Sequence, residues 1–140
     1  MKLKKAFCAA LLLCMIAALF CACGKAQKGD VSAVERTIPQ DAKYSAEEIG
    51  AAMDLVERKF TRDFRGCTLQ KLWYDDTQAQ AEAEWAQDYH TDEAIVLFSN
   101  FHVSENGGDG SLNSPYDYTN WNWVLVRNSG GNWVLQTWGY

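Results

Sequence analysis

Apolar positions along the chain fall into three kinds of pattern, and each predicts a different kind of segment. Residues 6–20 carry no charge and follow Lys2, Lys4 and Lys5. A run of this length is short for a membrane-spanning helix, which needs about 20 apolar residues, but it suits the apolar centre of an export signal. From Ile49 the pattern turns helical: Ile49, Met53, Val56, Phe60 and Phe64 recur at steps of four, three, four and four. That single stripe predicts an amphipathic helix of about 20 residues. Ser45 with Glu48 three residues on is a capping box for its start. Glu47 and Glu48 in the first turn, and Arg58, Lys59, Arg62 and Arg65 towards the end, suit the helix dipole, and Gly66 is a stop. The same basic group is either an anion patch or, more simply, a solvated helix face.

Beyond Gly66 the pattern favours strands. Cys67–Tyr74 predicts one, with Leu69 and Trp73 on one face and Leu72 and Tyr74 on the other. Asp75-Asp76-Thr77 breaks it, and Thr77 with Gln80 offers a second capping box for a short Ala-rich helix reaching Tyr89. Residues 94–103 are β-branched and apolar on both faces, which predicts a central, buried strand. The polar stretch 104–117 predicts a long loop, a place where function or mobility concentrates. Residues 119–127 alternate, with Trp121, Trp123 and Leu125 on one side and Asn122, Val124 and Val126 on the other. Asn128-Ser129-Gly130-Gly131 predicts a hairpin turn before a last strand from Trp133 to Tyr140. The order is helix, strand, helix, then three consecutive antiparallel strands.

The start of the chain predicts a location outside the cell for this domain. Phe20-Cys21-Ala22-Cys23 resembles the lipobox of bacterial lipoproteins. The resemblance implies a signal peptide over 1–22 and an acylated Cys23, with palmitate among its chains, as the new N-terminus. It implies a lipid anchor on the extracytoplasmic face of the cell membrane. Residues 23–43 then form the lipidated cysteine and a flexible tether spanning about 25 Å, and 44–140 a single globular domain. Loss of the three signal lysines would take the net charge from −5 to −8. So acidic a chain disfavours nucleic acid and gives no pull towards anionic lipid, so two acyl chains would hold it. Cys8, Cys14 and Cys21 leave with the signal, and Cys67 alone remains in the domain, where no intramolecular disulfide is available. The nearest histidine in sequence is His90, and Cys67 reads as a small buried hydrophobe rather than a catalytic thiol.

The element order and the ending Gly131-Asn132-Trp133-Val134-Leu135 with Trp138-Gly139 resemble the nuclear-transport-factor-2-like (cystatin-like) architecture. That resemblance implies an α+β fold: a long N-terminal helix packed against a curved antiparallel sheet, cone-shaped, with a second short helix. Ser45–Ile49, Gly66–Leu69, Leu72–Asp75 and Tyr118–Trp121 resemble small uncharacterised lipoproteins of anaerobic Gram-positive bacteria. This second resemblance implies fold and location, and no activity.

Aromatic residues make up 13% of the chain and dominate the candidate chemistry. Trp121, Trp123, Trp133 and Trp138 are candidate ligand-binding residues, because indoles bury large area while the N–H orients a polar ligand atom. The competing reading packs them on Met53, Phe60 and Phe64 as a filled core, since a domain of this size has little core to spare. Cone-shaped isomerases and dehydratases of the resembled architecture use a carboxylate or an Asp–His pair facing an apolar pocket. The alternative to binding is therefore a small cavity enzyme, isomerase-like or hydrolase-like, with His102 as base. Neither His90 nor His102 has an acidic neighbour at a spacing that fixes a pair. In the loop, Glu105, Asp109 and Asn113 lie four apart rather than two, and the calcium-loop pattern fails. No phosphate-binding glycine loop, nucleophile elbow or His-Glu-x-x-His occurs. The expectation is a non-catalytic binding module for a small apolar or peptide-like ligand or an envelope protein, with no cofactor, metal or nucleic acid.

Overall fold

The computed structural model describes residues 27–140; the expected signal peptide over 1–22 and Cys23 lie outside the described residues. Strand β1 (Glu35–Thr37) comes first, followed by helix α1 (Ala46–Asp63) and strand β2 (Cys67–Tyr74). A 3-10 turn over Asp76–Gln78 leads into helix α2 (Ala79–Asp88). Strands β3 (Glu93–Val103), β4 (Tyr116–Arg127) and β5 (Val134–Gly139) complete a five-stranded sheet in the order β1-β2-β3-β4-β5.

This overturns the fold expected from the sequence. The sheet is mixed rather than antiparallel, because β1 runs parallel to β2. Among the described residues the first element is a strand, and the two helices are short, 18 and 10 residues, so no long N-terminal helix builds a cone there. The physical reason lies in residues 29–42. Val31, Val34, Ile38 and Ala42 pack against the main core. Backbone bonds stitch the segment down: the Gly29 N–H donates to Thr61 O (3.1 Å), the Asp30 N–H to Cys67 O (2.8 Å) and the Leu69 N–H to Asp30 O (2.8 Å). Parallel neighbours need a crossover connection, and α1 supplies it. From Gly29 onward the expected tether is thus part of the domain.

Ser45 caps α1 as its sequence dictates. Its side chain accepts the Glu48 N–H while the Glu48 carboxylate accepts the Ser45 N–H at 2.8 Å. Ile49, Ala52, Met53, Val56 and Phe60 are buried on the face turned to the sheet. Before α2 the second capping box does not form. Asp75 instead accepts the Thr77 N–H at 2.9 Å and starts the 3-10 turn, and α2 begins without a side-chain cap.

Three bulges decide which side chains share a face. An extra residue at Gln70 in β2 puts Leu69, Leu72 and Tyr74 together in the α1-side core. Trp73 therefore stacks on Phe98 on the opposite side, rather than sharing a face with Leu69. A second extra residue at Asn120, whose φ is +54°, brings Tyr118 and Trp121 to the α1 side. A third, at Gln136 in β5, does the same for Trp133 and Trp138, five residues apart.

The other face is thinly covered by α2, where Ala86, Ala94 and Val126 form a small cluster with Trp85 and Tyr89. Here Glu82 is buried, and burial pushes its carboxyl pKa up. It accepts the Val96 N–H at 3.2 Å and meets Lys43 Nζ at 3.3 Å, while the Tyr44 hydroxyl donates to Ala94 O at 2.8 Å. β2 pairs with β3 no further than Tyr74 and Leu97, so these side chains satisfy backbone groups beyond the end of that ladder.

Candidate functional site

The four candidate tryptophans separate into two pairs with different surroundings. Trp123 is fully buried at the centre of the sheet, and its Nε1–H donates to Ser99 Oγ at 2.8 Å. Trp133 is 6% exposed and donates its Nε1–H to Glu48 O at 3.0 Å. Tyr44 stands edge-on to it at 5.2 Å, and the Arg127 guanidinium lies 4.1 Å from its ring centre. Arg127 in turn donates to Glu48 at 2.5 Å and Glu93 at 2.7 Å. Arg127 beside Glu48 holds that carboxyl down to about 2. Both rings have every polar atom partnered and belong to the scaffold.

Trp121 and Trp138 are different. Trp138 is 39% exposed, on the outer strand β5. Trp121 is half-buried, standing edge-on to Phe64, Phe101 and Tyr118, and its Nε1 is buried with no hydrogen-bond partner. The two rings line an open cleft of about 510 Å³ together with Phe64 and the last turn of α1. Lys59 and Asp63 project into it from that turn, at 2.5 Å from each other, and Lys59 Nζ sits 4.0 Å from the Trp138 ring centre. Arg62 holds Asp63 from its other side with bonds of 2.7 and 2.9 Å. The Arg62 and Lys59 cations drive the Asp63 carboxyl well below the usual carboxylate range.

The loop between β3 and β4 makes the opposite wall with Gly108, Asp109, Ser111 and Leu112. It is tied to the turn after α1. The Ser104 N–H donates to Gly66 O (3.0 Å), the Gly108 N–H to Arg65 O (2.6 Å), and the Ser114 hydroxyl to Ser104 O. Gly66, with φ +66°, and Gly107 touch backbone to backbone. A Cβ on Gly107 would stand 2.4 Å from Gly66 O, so this approach requires glycine. Asp109 accepts the Ser111 N–H at 2.9 Å and its hydroxyl at 2.5 Å, and these bonds lower its pKa.

The remaining candidates lie elsewhere. Cys67 is buried, its thiol pKa pushed up by burial. His102 points to the face away from α1, where Nδ1 meets Asp117 Oδ1 at 2.7 Å. The sequence hides this pair, because Asp117 arrives as the cross-strand partner of His102 on β4. The His102 side chain is 43% exposed and does not line this cleft. Among the described residues no three His, Cys, Asp or Glu side chains gather as a metal site. The signal missed in the sequence is that the end of α1 and the loop form one wall-to-wall site, which rests on the Gly66–Gly107 contact. Compared with known proteins, the chain matches no family model, no curated protein and no solved structure.

Proposed function

We propose that this chain is an extracytoplasmic lipoprotein, anchored through Cys23, whose domain binds a small ligand non-catalytically in the cleft between Trp138 and the β3–β4 loop. The observation that carries the binding half is the contrast within one aromatic cluster. Trp123 and Trp133 are buried and spend their indole N–H groups within the protein, although Trp133 also borders a second cleft of about 440 Å³ beside Arg127; Trp138 instead lines the first cleft with 39% of its surface exposed. Within that cleft Lys59 and Asp63 hold each other and Asp109 is held by Ser111, which favours binding over turnover. A cavity enzyme using His102 has less in its favour, since that ring stands on the opposite face.

Anchoring rests on the lipobox-like Phe20–Cys23. With Gly29 bonded to Thr61, an acyl group on Cys23 would hold the domain within about 20 Å of the bilayer, from the reach of an extended chain. Metabolic labelling with palmitate tests this half. Label is expected on the wild type and absent from Cys23→Ser, which should be released from the membrane; an unlabelled wild type would overturn it. Binding is tested by equilibrium dialysis against a soluble extract of the cell envelope. The wild type is expected to retain a small molecule that folded Trp138→Ala does not, and equal retention would remove the cleft.

A further inference from the structure

The charges of this cleft also select a ligand class. We infer that the cleft takes a neutral saccharide ring, stacked on Trp138 and hydrogen-bonded at its edge by Lys59, Asp63 and Asp109. The inference rests on the cleft reading above and goes beyond it.

Charge comes first. Lys59 and Arg62 supply two positive groups, and Asp63 and Asp109 two negative ones. Positive and negative are therefore balanced within the protein. A charged ligand meets no net opposite charge in this group, and to use Asp63 or Lys59 alone it would have to part a pair already at 2.5 Å; of the two carboxylates only Asp109, held by Ser111, has no cation beside it. A hydrocarbon ligand fails for the opposite reason. It would cover the ammonium and both carboxylates and strip their water without replacing its hydrogen bonds, which is costly for charged groups.

A sugar ring answers both demands. One face carries axial C–H groups and packs flat on an indole, and Trp138, 39% exposed, offers the part of its ring that Lys59 does not cover. Its rim carries hydroxyls, each both donor and acceptor, and charge-assisted bonds to them are stronger than neutral ones. The cleft keeps capacity for these bonds. An ammonium has three donors, and Lys59 spends one on Asp63. Asp109 accepts both Ser111 bonds on Oδ1, leaving Oδ2 free. The Ser111 hydroxyl, donating to Asp109, still accepts. The volume, about 510 Å³, lies within the range of small-molecule sites. The loop wall is fixed by the Gly66–Gly107 contact and the Gly108 N–H bond to Arg65 O, so the site is formed before the ligand arrives.

The experiment is calorimetric titration of the full chain in lipid nanodiscs with cellotetraose, chitotetraose and maltotetraose, and with choline and inorganic phosphate as charged probes. At least one neutral tetrasaccharide is expected to bind, about tenfold weaker in Trp138→Ala, and severalfold weaker in Asp109→Asn. Affinity should be nearly unchanged between low and high salt, because no net ion pairing is involved. Asp109→Asn, on the loop and outside the core, keeps the test readable if Trp138→Ala is poorly folded. Failure of every tetrasaccharide overturns the saccharide inference. If choline or phosphate binds instead, with salt and Trp138 dependence, the class is wrong while the cleft stands; if no probe binds with Trp138 dependence, both fall.

Discussion

Each end of the α1 face carries a cation over a tryptophan, and the two ends have opposite fates. Arg127 lies 4.1 Å from the ring centre of Trp133, and Lys59 Nζ 4.0 Å from that of Trp138. Both cations also hold carboxylates, Glu48 and Glu93 at one end, Asp63 at the other. At the Arg127 end the indole N–H is spent on Glu48 O, Tyr44 closes the edge of the ring, and 6% of Trp133 remains exposed. At the Lys59 end the ammonium covers only part of the Trp138 ring, and the residue stays 39% exposed beside a cleft. A bidentate guanidinium locks two carboxylates from different elements, whereas an ammonium paired one turn along its own helix leaves part of the ring accessible. The same residue vocabulary therefore builds a scaffold at one end and a seat at the other.

The sharpest way to break this contrast is to delete a ring from each class. Trp123→Ala removes the largest buried side chain and orphans Ser99, and is expected to cost about 3–5 kcal/mol in urea denaturation. Trp138→Ala is expected to cost less than about 1 kcal/mol, as for an exposed position. Equal losses would erase the distinction. Next come the cations. Arg127→Met removes the 11%-exposed cation that bridges Glu48 and Glu93 and covers Trp133, and is expected to cost about 2–3 kcal/mol. Lys59→Met is expected to cost at most about 1 kcal/mol, because Asp63 keeps Arg62 as its partner. Thermal and urea melts of the two variants, read together, rank the ends.

Gly107→Ala tests the wall of the cleft rather than its floor. With 2.4 Å between the added Cβ and Gly66 O, the loop must move, at a cost of about 1–3 kcal/mol. Hydrogen exchange at the Gly108 N–H, now bonded to Arg65 O, should accelerate, while exchange in β3 and β4 stays slow. Acid titration gives the smallest effect. The folded Glu48 pKa, about 2, lies below its ordinary 4.5, so its contribution is present above pH 4.5 and lost as pH falls towards 2. Glu82 acts in the opposite sense: its raised pKa adds stability at low pH that is lost as pH rises through the folded value. Stability of Glu48→Gln should fall less between pH 4.5 and 2 than that of the wild type, and a parallel fall would show that Glu48 is not held by Arg127.

How much of this was written in the sequence varies by residue. Local signals stood out: the Ser45–Glu48 box, the Cys67–Tyr74 strand and the turn at Asn128–Gly131 are each set by neighbours in the chain. The fold class was not legible. Glu35–Thr37 is polar and exposed throughout, so nothing in its pattern announces a strand, and its parallel pairing with β2 arises only once α1 has crossed over. Bulges are the second blind spot. One extra residue at Gln70, Asn120 or Gln136 swaps the face of everything beyond it, which is why alternation misassigned Leu69 against Leu72. For the site, the four tryptophans were visible, but which rings are sealed depends on Arg127 reaching Glu48, 79 residues away. The loop residues of the cleft were visible only as a loop.

Side-chain indole NMR during titration with the tetrasaccharides sets the two ends against each other in one spectrum. Saturable shifts are expected at the Trp138 and Trp121 indoles, with Trp133 and Trp123 unmoved. Shifts centred on Trp133, or a Trp138 signal indifferent to every probe, would contradict the division of this molecule into a closed end and an open one.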